Sequence, residues 1–249
     1  MKKTMKWSIL SLIVLCGCML TYLYTRPVSF EQLSVDVVLS VQGRNDRFRV
    51  PLVYQHSILS DVEIIGPQNM QSDHVIDPGY YVENAITEKA SFFSCDSYVS
   101  MYMHIIEPME LHVSKISYKL NGKIKAAEIG DVHIKTVDSE PVEEVSAIRK
   151  DDSHTLMIRL KAPKEGVVTK AELINPDCKA KITNLRKISD EEYSYDIVYE
   201  VDSDKKLIST VAYEIEINGN KTIRYGQARM IFTTIGTAGA DYVQTVTAY

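Results

Sequence analysis

Beyond residue 30, apolar and polar residues alternate along most of the chain with the period of two that marks half-buried strands. Tyr195, Ile197, Tyr199 and Val201 alternate with Asp196, Glu200 and Asp202. Val211, Tyr213, Ile215 and Ile217 alternate with Ala212, Glu214 and Glu216. This second run ends in Asn218-Gly219, which suits a type I′ hairpin turn because both central residues need positive φ. Lys221 to Tyr225 is expected to return along it. Ile116, Tyr118 and Leu120 alternate with Lys115, Ser117 and Lys119 in the same way and end in Asn121-Gly122. Earlier strands are expected at Ser34 to Val41 and Phe48 to Tyr54, the latter at an edge or bulged because Pro51 has no N–H to donate. Final strands are expected around Val132, Ile134 and Thr136, and around Ala228, Met230 and Phe232. No long amphipathic helix is visible beyond the N-terminus.

The pattern occurs twice. Ser97 to Gly122 aligns without a gap on Ser194 to Gly219, at an offset of 97 residues. Ser97, Tyr98, Tyr102, Asn121 and Gly122 meet Ser194, Tyr195, Tyr199, Asn218 and Gly219. Asp61 to Pro67 similarly matches Lys170 to Pro176, at an offset of 109. The first copy is therefore enlarged by 12 residues, within 68–96. That segment holds the turn signal Asp77-Pro78-Gly79 and the aromatics Tyr80, Tyr81, Phe92 and Phe93.

Short strands joined by turns, repeated in tandem, predict an all-β fold of two antiparallel β-sandwich domains after an N-terminal hydrophobic helix. The pattern resembles tandem immunoglobulin or fibronectin type III modules in architecture, without a Cys…Trp…Cys motif. The expected organisation is an anchor or lipoprotein signal at 1–27, a first domain at 28–138, an acidic linker at 139–144, a second domain at 145–236 and a tail at 237–249.

At the N-terminus, Lys2, Lys3 and Lys6 precede 18 residues without charge, Trp7 to Tyr24. That length is at the lower limit for a membrane-spanning helix, and the lysines orient the N-terminus to the cytoplasm. An uncleaved anchor with an extracytoplasmic remainder fits best, since the first alanine is Ala85 and an A-x-A-like cleavage site is lacking. Leu15-Cys16-Gly17-Cys18 resembles a bacterial lipobox, which makes Cys18 a lipidation candidate. Four of the 28 basic residues precede residue 28, whereas all 33 acidic residues follow it, so the exported part carries −9. Such an acidic chain without basic blocks excludes nucleic acid as an expected partner. Cys95 and Cys178 lie at non-equivalent positions of the repeats, open to either an interdomain bridge or two separate thiols.

No catalytic motif survives inspection. The nucleophile elbow, the zincin helix and the phosphate loop are all missing, and Ser203-Asp204-Lys205-Lys206 falls in a turn without companion motifs. Met101, Met103, His104, Met109 and His112 are soft-ligand types, but the period of two splits them between faces. They read as packing residues, so no catalytic residue, metal or cofactor is expected. The expected role is a non-catalytic module binding or scaffolding a protein or cell-envelope partner. The alternatives are a surface hydrolase with its site in the interdomain groove, or a passive spacer.

The repeat gives that reading candidate residues. In the second copy Asp196, Glu200 and Asp202 are expected on the outer face, in water. Carried across the offset, the same register turns Val99, Met101, Met103 and Ile105 outward as an apolar partner surface. Tyr80, Tyr81, Phe92 and Phe93 either join this surface or fold over it. A flipped register in the first copy would instead send the methionines inward.

Overall fold

The computed structural model describes residues 2–42, 47–68, 71–72, 80–83, 85–89, 91–104, 108–149, 155–178, 180–199 and 206–231. Helix α1 spans Lys2–Thr25. Its stretch Ser8–Thr25, of mean hydropathy 1.8, is long and apolar enough to cross a membrane, as an anchor or a signal sequence would be. Pro27 follows the helix end, where a ring without an N–H cannot continue it. There Leu23 is buried, and Asn121 Nδ2 donates to the Tyr24 carbonyl at 2.7 Å.

The chain is mostly β, in several largely antiparallel sheets. Its first part forms β1 (Ser29–Phe30), β2 (Leu33–Ser40), β3 (Arg47–Ser57), β4 (Val62–Gln68), β5 (Gln71–Ser72), β6 (Tyr80–Val82), β7 (Ile86–Lys89), β8 (Ser94–His104), β9 (Glu110–Leu120) and β10 (Lys123–Val137). One sheet runs β1-β3-β8-β6, with β7 also on β8; the other contains β2-β10-β9-β4, with β5 on β9. Phe48, Val50, Leu52 and Tyr54 of the first sheet share a buried core with Val35, Val37, Leu111, Val113, Ile116, Val132 and Ile134 of the second. Strand β1 reaches only Tyr54 and Gln55, so it leaves the β3 edge at Pro51 uncovered, as a residue without an N–H requires.

The later part forms β11 (Glu143–Arg149), β12 (Thr155–Lys161), β13 (Gly166–Leu173), β14 (Ala180–Lys187), β15 (Glu192–Tyr199), β16 (Lys206–Ser209), β17 (Val211–Ile217), β18 (Asn220–Tyr225) and β19 (Arg229–Ile231). Its sheets run β11-β12-β15-β14 and β13-β17-β18. A second core gathers Ile158, Leu160, Tyr193, Tyr195, Ile197, Val211, Tyr213 and Ile215. This core is not wholly apolar. The Tyr195 and Tyr213 hydroxyls lie 2.6 Å apart, and Tyr213 donates to Glu144 Oε1 at 2.6 Å. Glu144 is itself paired with the buried Arg229. Burial, and after it neighbouring charge, holds both phenols well above their ordinary pKa, so they remain donors.

Strands β16 and β19 leave the second core for the first. β16 pairs in parallel with β2 from Lys206↔Leu33 to Ser209↔Asp36, and β19 pairs with β16. One sheet therefore reads β19-β16-β2-β10-β9-β4, and Ile208 and Ala228 join the first core. Asn175, only 2% exposed, latches this seam. Its Nδ2 donates to the carbonyls of Ser34 at 2.9 Å and Ile208 at 3.1 Å, and its backbone amide donates to Ser209 Oγ. Ser34 Oγ in turn donates to Asp177 at 2.9 Å. All four cysteines are free, so Cys95 and Cys178 are separate thiols; burial pushes the Cys178 thiol up to about 11.

The hairpin turns have the expected geometry, with φ of 50° and 77° at Asn121 and Gly122, and 52° and 78° at Asn218 and Gly219. Gly130 is a harder constraint. It sits at φ 97° where the β9–β10 register shifts between Glu128 and Val132. A Cβ there would come within 2.0 Å of the Leu33 carbonyl oxygen. Gly219 meets nothing within 4 Å. Urea denaturation of Gly219→Ala is expected to show a loss of about 1 kcal/mol, the cost of positive φ alone. Gly130→Ala is expected to lose more than about 3 kcal/mol, since it adds a backbone clash at the β2 contact. Asn175→Ala removes both bonds that Nδ2 donates to the Ser34 and Ile208 carbonyls and leaves those buried acceptors without them, and is expected to cost about 2–4 kcal/mol in the same assay.

Candidate functional site

Directly paired residues of antiparallel strands share a face. Leu52 pairs with Val99, Val50 with Met101 and Phe48 with Met103. Phe48, Val50 and Leu52 are buried, so Val99, Met101 and Met103 are buried with them, the two methionines at 0% exposure. This corrects the expected outward placement of Val99, Met101 and Met103. The strand takes the opposite parity from its repeat partner, where Tyr195 lies inward opposite Ile158. The reason is the content of the facing strand. Burying two methionines and a valine contributes about 1.5–3 kcal/mol each, whereas burying Tyr98 and Tyr102 would also demand partners for two hydroxyls. Ile105 lies outside the described residues, as do Glu200 and Asp202.

The flip turns the tyrosines outward. Tyr98 is 41% exposed and pairs with Ile86, which is 68% exposed. Tyr102 stacks on Tyr81, with ring centroids 4.6 Å apart and planes at 6°. The enlarged segment supplies this neighbourhood through β6 and β7, which lie against β8, and Tyr80, Tyr81, Phe92 and Phe93 are all exposed, Phe92 at 80%. The outer face of the first sheet is thus aromatic at Tyr81, Tyr98 and Tyr102. Its rim is acidic. Burial and the charges of Asp96, Glu88 and Glu31 raise the Tyr98 pKa, and burial together with a hydrogen bond to Glu83 raises that of Tyr102.

A second constellation lies on the other sheet of the same unit. Glu110 and His112 are two apart on β9 and so share a face; the ladder sets His133 of β10 opposite His112, and Asp36 of β2 opposite His133. His133 Nδ1 lies 3.1 Å from Asp36 Oδ1, and its Nε2 lies 3.0 Å from Glu110 Oε1. The His112 and His133 rings stack at 4.2 Å, with His112 Nε2 3.7 Å from Glu110 Oε1. In the sequence His112 stands beside the methionines, and no motif singles out His133. Glu110-x-His112 was legible as two ligand types on one face, but its third member was hidden by the register shift around Gly130.

An open cleft of about 420 Å³ on the second unit is lined by Asn184, Leu185, Arg186, Ser194 and Asp196. The register shift of β14 between Thr183 and Arg186 folds over β15, and Asn184 Nδ2 donates to Asp196 at 2.8 Å. Asp196, expected in water, is therefore only 5% exposed.

No protein-family model and no curated protein matches the chain. Among solved structures, an endo-fucoidan hydrolase of glycoside hydrolase family 107 superposes with a TM-score of 0.22 at 6% identity, over 78% of this chain and 27% of its own. The chain thus spans about a quarter of that enzyme's length. A conserved domain protein from Bacillus anthracis superposes at 0.23 with 11% identity, over 75% of this chain and 83% of its own. Scores this low carry no argument about fold or function.

Met101→Glu with Met103→Glu is expected to unfold the protein, because two carboxylates would enter an apolar core at a combined cost above about 4 kcal/mol. Tyr98→Ser is expected to cost under about 1 kcal/mol. Circular dichroism with urea titration measures both.

Proposed function

We propose that the chain is a membrane-anchored, extracytoplasmic binding module of two immunoglobulin-like β-sandwiches, presenting the aromatic outer face of its first unit to a protein partner. The strand orders support the fold assignment. In chain order, β1-β3-β8-β6 and β11-β12-β15-β14 each follow the A-B-E-D arrangement of an immunoglobulin sheet, and β4-β9-β10 and β13-β17-β18 follow C-F-G. The parallel β2–β10 pair sits where a first strand crosses from one sheet to the other. Domain bounds near 28–138 and 145–236 are part of this proposal, with β16 and β19 reaching back from the second domain to the first.

The observation that carries the binding role is the exposed group Tyr81, Ile86 and Tyr98, with the half-buried Tyr102 stacked on Tyr81 and the exposed Phe92 and Phe93 in the turn between β7 and β8. Exposed aromatic clusters of this kind mark interaction surfaces more often than solvated ones. The acidic rim of Glu83, Glu88 and Asp96 favours a partner with apolar and basic side chains. Helix α1 supports placement in the membrane, with the lysine-flanked N-terminus inside and the acidic remainder outside.

The test is site-specific photo-crosslinking of the full-length protein in cells. A crosslinker at position 98 is expected to capture a defined protein, and one at the exposed position 223 of the far hairpin is not. Phe92→Ser with Ile86→Ser is expected to lower capture from position 98 at least about tenfold at unchanged thermal stability. Equal capture from both positions, or capture indifferent to the double substitution, overturns the assignment.

A further inference from the structure

The face of the first unit opposite the tyrosines carries two histidines and two carboxylates in one cross-strand cluster. Two residues spaced i, i+2 on one strand and a third directly across the ladder present three ligand atoms to one point above the sheet. One ligand atom each from Glu110, His112 and His133 lies within 4.8 Å of the other two. In a tetrahedral zinc site with bonds near 2.0–2.1 Å, ligand atoms are about 3.3 Å apart. The Glu110–His133 and Glu110–His112 separations of 3.0 and 3.7 Å bracket that value.

We propose that Glu110, His112 and His133 form a binding site for a divalent transition-metal ion, with zinc the best match to two imidazoles and one carboxylate. Asp36 is the positioning residue. It accepts from His133 Nδ1, which fixes the tautomer and turns Nε2 toward Glu110; a carboxylate behind a metal-bound histidine does the same work in established sites. Three ligands leave a fourth position for water. The ion replaces the proton that His133 Nε2 would otherwise share with Glu110, so the hydrogen-bonded cluster is the metal-free form. The stacked rings, at 11° to one another, aim their nitrogen lone pairs side by side. Convergence on one ion requires one ring to swing. His112 is the exposed member and can turn about χ2, whereas His133 is held by Asp36.

Calorimetric titration of the untagged full-length chain in detergent micelles with zinc tests this. One ion per chain is expected, with cobalt(II) giving the strong visible bands of a four-coordinate site. His112→Gln and His133→Gln, which keep polar volume, are each expected to weaken zinc roughly 100-fold, and Asp36→Asn roughly 10-fold. His56→Asn, on the other sheet, is expected to leave affinity unchanged. Zinc is expected to raise the thermal midpoint of the wild-type chain but not of His133→Gln. Failure of the wild-type chain to take up zinc overturns the proposal, as does uptake that both histidine variants retain within threefold while keeping the wild-type circular dichroism spectrum.

Discussion

Strand β2 is hydrogen-bonded along both of its edges, and most of the structure depends on that. A buried strand cannot leave its N–H and C=O groups without partners. On one side β2 pairs with β10 of its own unit, and on the other with β16, which belongs by sequence to the following one. The same strand places Val35 and Val37 in the first core, Ser34 in the Asn175 latch and Asp36 behind His133. Gly130 exists to let β10 approach β2 at Leu33. The two units are therefore not beads on a flexible linker. They share a sheet, and the seam between them is made of backbone pairing and buried amide bonds.

The two cores solve the same problem differently. The first is almost entirely aliphatic and aromatic carbon, whereas the second contains a buried Glu144–Arg229 pair capped by two tyrosines. A buried ion pair adds little net stability over apolar packing, but removing one partner leaves an unpaired charge. Such a pair favours one arrangement over its neighbours. Here it ties the start of β11 to β19, so the end of the chain's described part is fixed to the start of the second unit.

Much of the fold was legible because alternation and turn chemistry agree. Tyr195, Ile197, Val211, Tyr213 and Ile215 point inward as their spacing demands, and both Asn-Gly turns have the required dihedrals. Strand β8 takes the opposite parity from the strand that the repeat aligns with it. Tyr98 and Tyr195 align, yet a strand's faces are decided by what its neighbour buries. The decisive information lay in Phe48-x-Val50-x-Leu52, not in the repeat. The histidine cluster was partly hidden for a related reason. Counting back from the Asn121-Gly122 turn pairs His112 with residue 131; the register shift around Gly130 advances the ladder so that His133 takes that place. Bulges of this kind leave only a glycine in the sequence to announce them. The Asp196 cleft depends likewise on an irregularity in β14 that alternation does not reveal.

The parallel pairing of β2 with β16 has a mechanical consequence. Helix α1 leads through the two-residue β1 into β2, so tension between the helix and the second unit passes along these strands. Strands that run side by side in the same direction resist such a pull in shear, with every bond of the ladder loaded together. A hairpin pulled at its open end instead unzips one bond at a time. The short Lys206–Ser209 ladder, backed by the Asn175 latch, is thus placed where a load-bearing clasp belongs. A pull on helix α1 against the second unit would load this ladder in shear.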